Sequence, residues 1–154
     1  MNYWLFKSEP TTYGIDHLAK DKVTAWTGVR NYQARNFMRD AMKKGDRGWF
    51  YHSSCEEPGI VGIVEVAKAA YPDETQFDRK SRYYDAAATT GEPRWFNVDL
   101  KFVKQTPLVG IGELRSHKAL AKMALLQRGN RLSITPVSPA EWKYILGLLD
   151  KKES

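Results

Sequence analysis

Arg94-Trp95-Phe96-Asn97-Val98-Asp99-Leu100-Lys101-Phe102-Val103-Lys104 is the cleanest strand in the chain. Phe96, Val98, Leu100 and Phe102 face one way, and Trp95, Asn97, Asp99 and Lys101 face the other. Upstream, residues 2–7 (NYWLFK), Val23 to Trp26, Arg47 to Ser53 and Ile60 to Tyr71 also read as strands. The last two meet across a Glu56-Glu57-Pro58-Gly59 turn. Downstream, Leu132 to Val137 is a final strand ending at a proline. Between them lie short helical patterns. Residues 15–20 make one or two turns, and Glu113 to Leu126 reads as helix in two pieces. From Tyr32 to Lys44, Ala34, Phe37, Met38, Ala41 and Met42 recur at helical spacing before a stop at Gly45. Ser138-Pro139-Ala140-Glu141 is a capping box that opens a helix with Trp142, Ile145, Leu146 and Leu149 on one face. Strands interleaved with short helices, without βαβ regularity, predict an α+β fold built as a small mixed barrel.

At 154 residues the chain is expected to form one domain over residues 1–149, with residues 150–154 fraying. A hydrophobic content of 42% with 12% aromatics is that of a soluble globular protein, and no apolar run reaches membrane-spanning length. MNYWLFKSEP turns polar too soon for a signal peptide, so a cytoplasmic location is expected. Cys55 is the single cysteine and the three histidines are scattered, which argues against a disulfide framework or a metal site. No cofactor is expected. Residues 1–50 carry nine Lys/Arg against five Asp/Glu, residues 51–100 five against nine, and residues 101–154 ten against four. The terminal thirds therefore hold the positive charge, which permits a polyanionic partner without requiring one.

Trp26-Thr27-Gly28-Val29-Arg30-Asn31-Tyr32-Gln33-Ala34-Arg35-Asn36 gathers aromatics, a glycine, cations and amides immediately before and into a helix. A nucleobase and its phosphate call for flat planes, amide hydrogen-bonding groups and cations. The plainer reading makes Trp26 core and Asn31 a helix cap. Pro10 holds Glu9 extended at a strand end, where its carboxylate can accept from an exocyclic amino group or pair with Arg30 or Arg35. His52 and Ser53 end another strand. Neighbouring strand residues point to opposite faces, so adjacency does not make them a base–nucleophile pair. Trp95 and Asp99 either line a groove or pack under residues 73–93, a polar excursion too long to be a simple connection.

Lys7-Ser8-Glu9-Pro10, Trp26 to Asn36, Tyr51-His52-Ser53, Pro58-Gly59-Ile60-Val61-Gly62 and Arg131-Leu132-Ser133-Ile134-Thr135-Pro136-Val137, with Trp142 beyond, occur in order. Together they resemble the EVE domain of the PUA-like superfamily, from Asn2 to about Leu149. The resemblance implies a partly open PUA-like β-barrel flanked by short helices. It also implies recognition of modified bases, notably 5-methylcytosine-type bases in DNA; related PUA-like domains bind RNA. The expectation is thus a monomeric, non-enzymatic module that binds nucleic acid and holds one everted, modified base. Ser8, Glu9, Trp26, Val29, Asn31, Tyr32, His52 and Ser53 are its pocket candidates, and Lys7, Arg30, Arg35 and Arg131 its phosphate-facing cations. The alternatives are a small nucleotide hydrolase or transferase using His52 and Glu9, and a protein-interaction adaptor.

Overall fold

The structure, a computed structural model, describes residues 1–153. Six strands form one mixed sheet: β1 (Tyr3–Ser8), β2 (Val23–Ala25), β3 (Arg47–His52), β4 (Gly59–Pro72), β5 (Phe96–Gly110) and β6 (Ile134–Val137). Their order is β2-β5-β4-β3-β1-β6. β1 and β3 run parallel at the centre, with Tyr3 opposite Arg47 and Ser8 opposite His52; every other pair is antiparallel. The outer strands β2 and β6 do not pair with each other, so the barrel stays open. Register shifts along β4 and β5, at Ile60/Gly62, Ile63/Val64, Val66/Lys68 and Lys68/Tyr71, bend the long pair as bulges do.

Both faces of the sheet are covered, so the central strands carry continuous apolar runs. Trp4, Phe6, Phe50, Val64, Val98 and Leu100 pack with Ile15, Leu18, Ala34 and Met38 in one core. Leu5, Trp49, Tyr51, Ile63 and Val109 pack with Leu114, Trp142, Ile145 and Leu149 in the other. Helices α1 (Pro10–Tyr13), α2 (Ile15–Asp21) and α3 (Tyr32–Asn36) lie between β1 and β3 in sequence. Helices α4 (Ile111–Arg115) and α5 (Pro139–Glu153) come near the C-terminus. None of the helices among the described residues is long and apolar enough to cross a membrane.

The α+β reading and the open barrel hold, and several boundaries move. The strand expected from Arg94 begins at Phe96 and runs on to Gly110. The helix expected to reach Lys44 widens to a π-type turn over Phe37–Ala41, where the Met42 N–H donates to the Phe37 carbonyl at 2.9 Å. It stops there because Met42 turns extended and buries its side chain, letting Asp46 accept from the Lys43 N–H and Trp4 Nε1. The capping box forms: Ser138 N donates to Glu141 Oε1 at 2.9 Å, and Glu141 N to Ser138 Oγ at 3.1 Å. Its helix continues past Leu149 to Glu153, where fraying was expected. Lys104 to Glu153 and Lys152 to Glu113, both at 2.9 Å, tie the last turns down. Ser154 lies outside the described residues.

Candidate functional site

A cleft of about 530 Å³ opens at the end of β1. Lys7 and Ser8 line it from β1, Glu9 from the residue that follows, and Thr24 to Arg30 from β2 and the loop after it. Tyr13 comes from α1, Ser133 from the approach to β6, and Arg82 and Tyr83 from the excursion. Glu9 is extended (φ −79°, ψ 126°), as Pro10 demands, and its carbonyl accepts from Thr12 N at 3.0 Å and Tyr13 N at 2.9 Å. That backbone is fixed while the carboxylate is exposed, with no hydrogen bond or ion pair among the described residues. The salt bridge to Arg30 or Arg35 does not form. Lys7 likewise has no ion pair among the described residues, and partial burial pushes its ammonium below the usual lysine range. The Ser8 hydroxyl is turned inward and donates to the Tyr13 carbonyl at 2.7 Å.

Trp26 is both a wall and a core residue. Its backbone N–H donates to Val98 O at 2.8 Å, extending the β2–β5 ladder by one bond. Phe6 and Phe50 meet the ring edge-to-face, at 5.7 and 5.8 Å between centroids. The indole nonetheless remains half-buried and lines the cleft. Two residues on, Gly28 has φ +80°, and a Cβ there would stand 2.6 Å from the Tyr83 ring. Only glycine accepts both the left-handed backbone and that approach.

Arg30 is the largest departure from expectation. All five of its N–H donors have partners. Nε donates to Tyr83 O, Nη1 to Val29 O and Asp73 Oδ2, and Nη2 to Thr75 Oγ1 and Tyr83 O. The guanidinium also lies 5.3 Å from both the Tyr83 and Trp95 ring centroids. Arg30 is therefore a clamp on the excursion, not a free phosphate contact. Its partner Asp73 is 0% exposed and accepts further from Gly28 N at 2.8 Å and from Thr75 N and Oγ1. Burial alone would raise the pKa of Asp73, but these hydrogen bonds and the Arg30 charge outweigh it and hold the pKa below the ordinary value. Gln76, also fully buried, joins the two ends of the excursion. Its Nε2 donates to Asp73 O and Trp95 O, and its Oε1 accepts from Arg94 N and Trp95 N. Trp95 packs beneath the excursion, donating Nε1 to Asp85 Oδ2 at 2.8 Å.

Six expected site residues do not line the cleft. Asn31 caps α3, its side chain accepting from Ala34 N at 3.0 Å. Tyr32 is exposed and stacks on Trp95 at 4.8 Å, while Arg35 lies over the Tyr32 ring and donates to Arg94 O and Asn36 Oδ1. His52 Nε2 accepts from Ile15 N at 3.1 Å and so caps α2, whose preceding N–H, at Gly14, donates to His17 Nδ1 at 2.7 Å. Burial pushes the His52 pKa down against the opposing charge of Asp16. Ser53 is tied through its backbone, donating to Ser8 O at 3.0 Å. Arg131 is exposed outside the cleft, although Ser133 of the same motif lines it. Strand-end position suggested the pocket for His52 and Ser53, the run from Trp26 to Asn36 for Asn31, Tyr32 and Arg35, and the Arg131-Leu132-Ser133 motif for Arg131. The turn geometry that directs their side chains elsewhere has no signature in the alternation. Tyr83 and Arg82 went unread because the excursion shows no periodicity; the tyrosine pair Tyr83-Tyr84 in a polar loop was the available signal.

Residues 2–148 match the EVE domain. The chain belongs to the EVE domain family. Thymocyte nuclear protein 1 of Gallus gallus is 44% identical over 97% of this chain and 69% of its own length. The Homo sapiens protein is 41% identical over 99% of this chain and 76% of its own. Among solved structures, a Pseudomonas syringae protein superposes on this EVE domain with a TM-score of 0.90 at 48% identity, covering 95% of this chain and 98% of that one. A structure of human thymocyte nuclear protein 1 in complex with DNA containing 5-methylcytosine gives 0.91 at 40% identity, covering 97% and 98%.

Proposed function

We propose that this EVE domain is a non-enzymatic reader of nucleic acid that takes one everted, 5-methylcytosine-type base into the cleft beside Trp26. The observation that carries the reading is the meeting, in one cleft, of a half-buried indole wall with a carboxylate and a cation that have no ion-pair partner among the described residues. The cleft's size lies within the range of about 300–1,000 Å³ typical of ligand sites. Trp26 offers the base a flat surface. Glu9 can accept from the exocyclic amino group of cytosine, and Lys7 can meet a flanking phosphate. The human relative's structure with methylated DNA supports the same partner class. A buried methyl group adds about 0.8 kcal/mol, only a few-fold in affinity, so the walls must also exclude wrong shapes. The hydrolase alternative draws no support: Glu9 lines the cleft, but His52 lies outside it with Nε2 already accepting from α2.

The test is competition among otherwise identical oligonucleotides carrying a single cytosine, 5-methylcytosine or adenine, with the wild type and Glu9→Gln. Losing a charge-assisted hydrogen bond costs roughly 1.5–3 kcal/mol, so Glu9→Gln should lose ten-fold or more on the cytosine strands and flatten the rank order. A uniform small gain on every strand would remove Glu9 from the pocket. Equal binding of all three strands by the wild type would overturn the base-reading function itself.

A further inference from the structure

Arg79-Lys80-Ser81-Arg82 is a basic run at the tip of an excursion that belongs, by composition, to the acidic third of the chain. The structure separates the two signs. Asp73 is buried under Arg30, Asp85 accepts from Trp95 Nε1 and Ala87 N, and Asp78 accepts from Lys80 N. These three carboxylates are spent on the loop's own framework. Arg79, Lys80 and Arg82 are all exposed, and none has an ion pair or side-chain hydrogen bond among the described residues. Arg82 lines the cleft, its guanidinium 5.1 Å from the Tyr83 ring centroid. Tyr83 itself rests against Gly28, two residues from Trp26.

The tip is not a loose loop. Ser81 N donates to Asp78 O at 2.9 Å, Tyr84 N to Ser81 O at 3.1 Å and Tyr83 N to Ser81 Oγ at 3.0 Å, so Arg82 sits between two closed turns. The Tyr83 carbonyl is gripped twice by Arg30. A planar guanidinium with every donor free, laid on an aromatic ring at the rim of a cleft, is suited to bidentate contact with a phosphate oxygen pair. Arg30, one of the four cations that the sequence marked for this task, has no donor to spare.

We infer that the excursion's basic tip, Arg82 above all with Arg79 and Lys80 beside it, is the phosphate-contacting element that carries a nucleic-acid backbone past the cleft. Lys7 would meet the strand from β1. The inference rests on nucleic acid being the partner but not on which base enters.

The experiment measures binding of a single-5-methylcytosine oligonucleotide duplex across a salt series for wild type, Arg82→Ala, Arg82→Lys and the triple Arg79→Ala/Lys80→Ala/Arg82→Ala variant. Each lost phosphate contact lowers the slope of log K against log salt by about 0.9 on a duplex. Arg82→Ala should bind about 3- to 10-fold more weakly at low salt with the slope reduced by about one. Arg82→Lys should restore the slope, and the triple variant should reduce it by about two to three. The methylcytosine-over-cytosine ratio should stay at the wild-type value throughout, since these side chains touch the backbone. Wild-type affinity and slope in the triple variant would overturn the inference. A slope change in a protein whose wild type shows no base preference would sustain it while the base-reading function fell. No binding by the wild type to any oligonucleotide would overturn both.

Discussion

Replacing Arg30 by alanine separates the clamp seen here from the phosphate contact that the sequence suggested. The substitution removes five donated hydrogen bonds and leaves Asp73, at 0% exposure, without its cation. Stripping one partner from a buried ion pair costs about 3–5 kcal/mol. Asp73 keeps its bonds from Gly28 N and from Thr75 N and Oγ1, and the Arg30 side chain is itself 21% exposed, so the lower end applies. A loss of about 3 kcal/mol lowers the Tm by roughly 6–12 °C in a domain of this size. Arg30→Lys keeps the charge but loses the fork that holds Tyr83 O and Thr75 Oγ1 together, so it should fall between the two. Thermal melts with hydrogen exchange across residues 73–85 provide the assay, and exchange at the Gly28 amide should rise with the loss of order in the excursion. An Arg30→Ala protein that melts within a degree of wild type while losing about one unit of salt slope would refute the clamp and restore the phosphate role.

Three further outcomes follow from other contacts. Gly28→Ala forces a Cβ into the Tyr83 ring at 2.6 Å on a left-handed backbone, so it should cost about 1–3 kcal/mol from the backbone alone; unchanged melting would refute both the backbone requirement and the close approach of Tyr83. Trp26→Ala should weaken oligonucleotide binding by about one to two orders of magnitude. Its edge contacts with Phe6 and Phe50, worth about 0.5–1.5 kcal/mol each, should lower the melting temperature as well, and full retention of both affinity and stability would remove Trp26 from the site. His52, whose pKa is depressed by burial, contributes stability that is present above its unfolded pKa of about 6.5 and is lost as pH falls through the lower folded value. Chemical denaturation at a series of pH values should therefore show wild-type stability declining below about 6.5, and His52→Gln should make that decline shallower; an identical decline in the variant would exclude His52.

Period-two alternation located β4 and β3 to within a residue and the start of β5 to within two, though not its end at Gly110, and the Ser138–Glu141 capping box marked the start of α5 at Pro139. These signals are local: side-chain direction along a strand and the pairing of a cap with its helix depend on residues within a few positions. Pro10 set the backbone of Glu9 in the same way. The limit of that locality is visible at Arg30 and His52. Nothing within reach of Arg30 in sequence names Asp73, Thr75 or Tyr83, which lie 43 to 53 residues away, nor does anything near His52 name Ile15, 37 residues back. Which cation is spent on the fold and which is left for a ligand depends on long-range pairing. Arg30 and Arg82 are the same side chain in the sequence; burial of Asp73 beneath one and solvent around the other give them different work. The chain by itself determined the strands, the caps and the family they belong to. Only the tertiary structure decided which polar groups remain unsatisfied in the cleft, because satisfaction of a donor or acceptor is a property of what is packed against it.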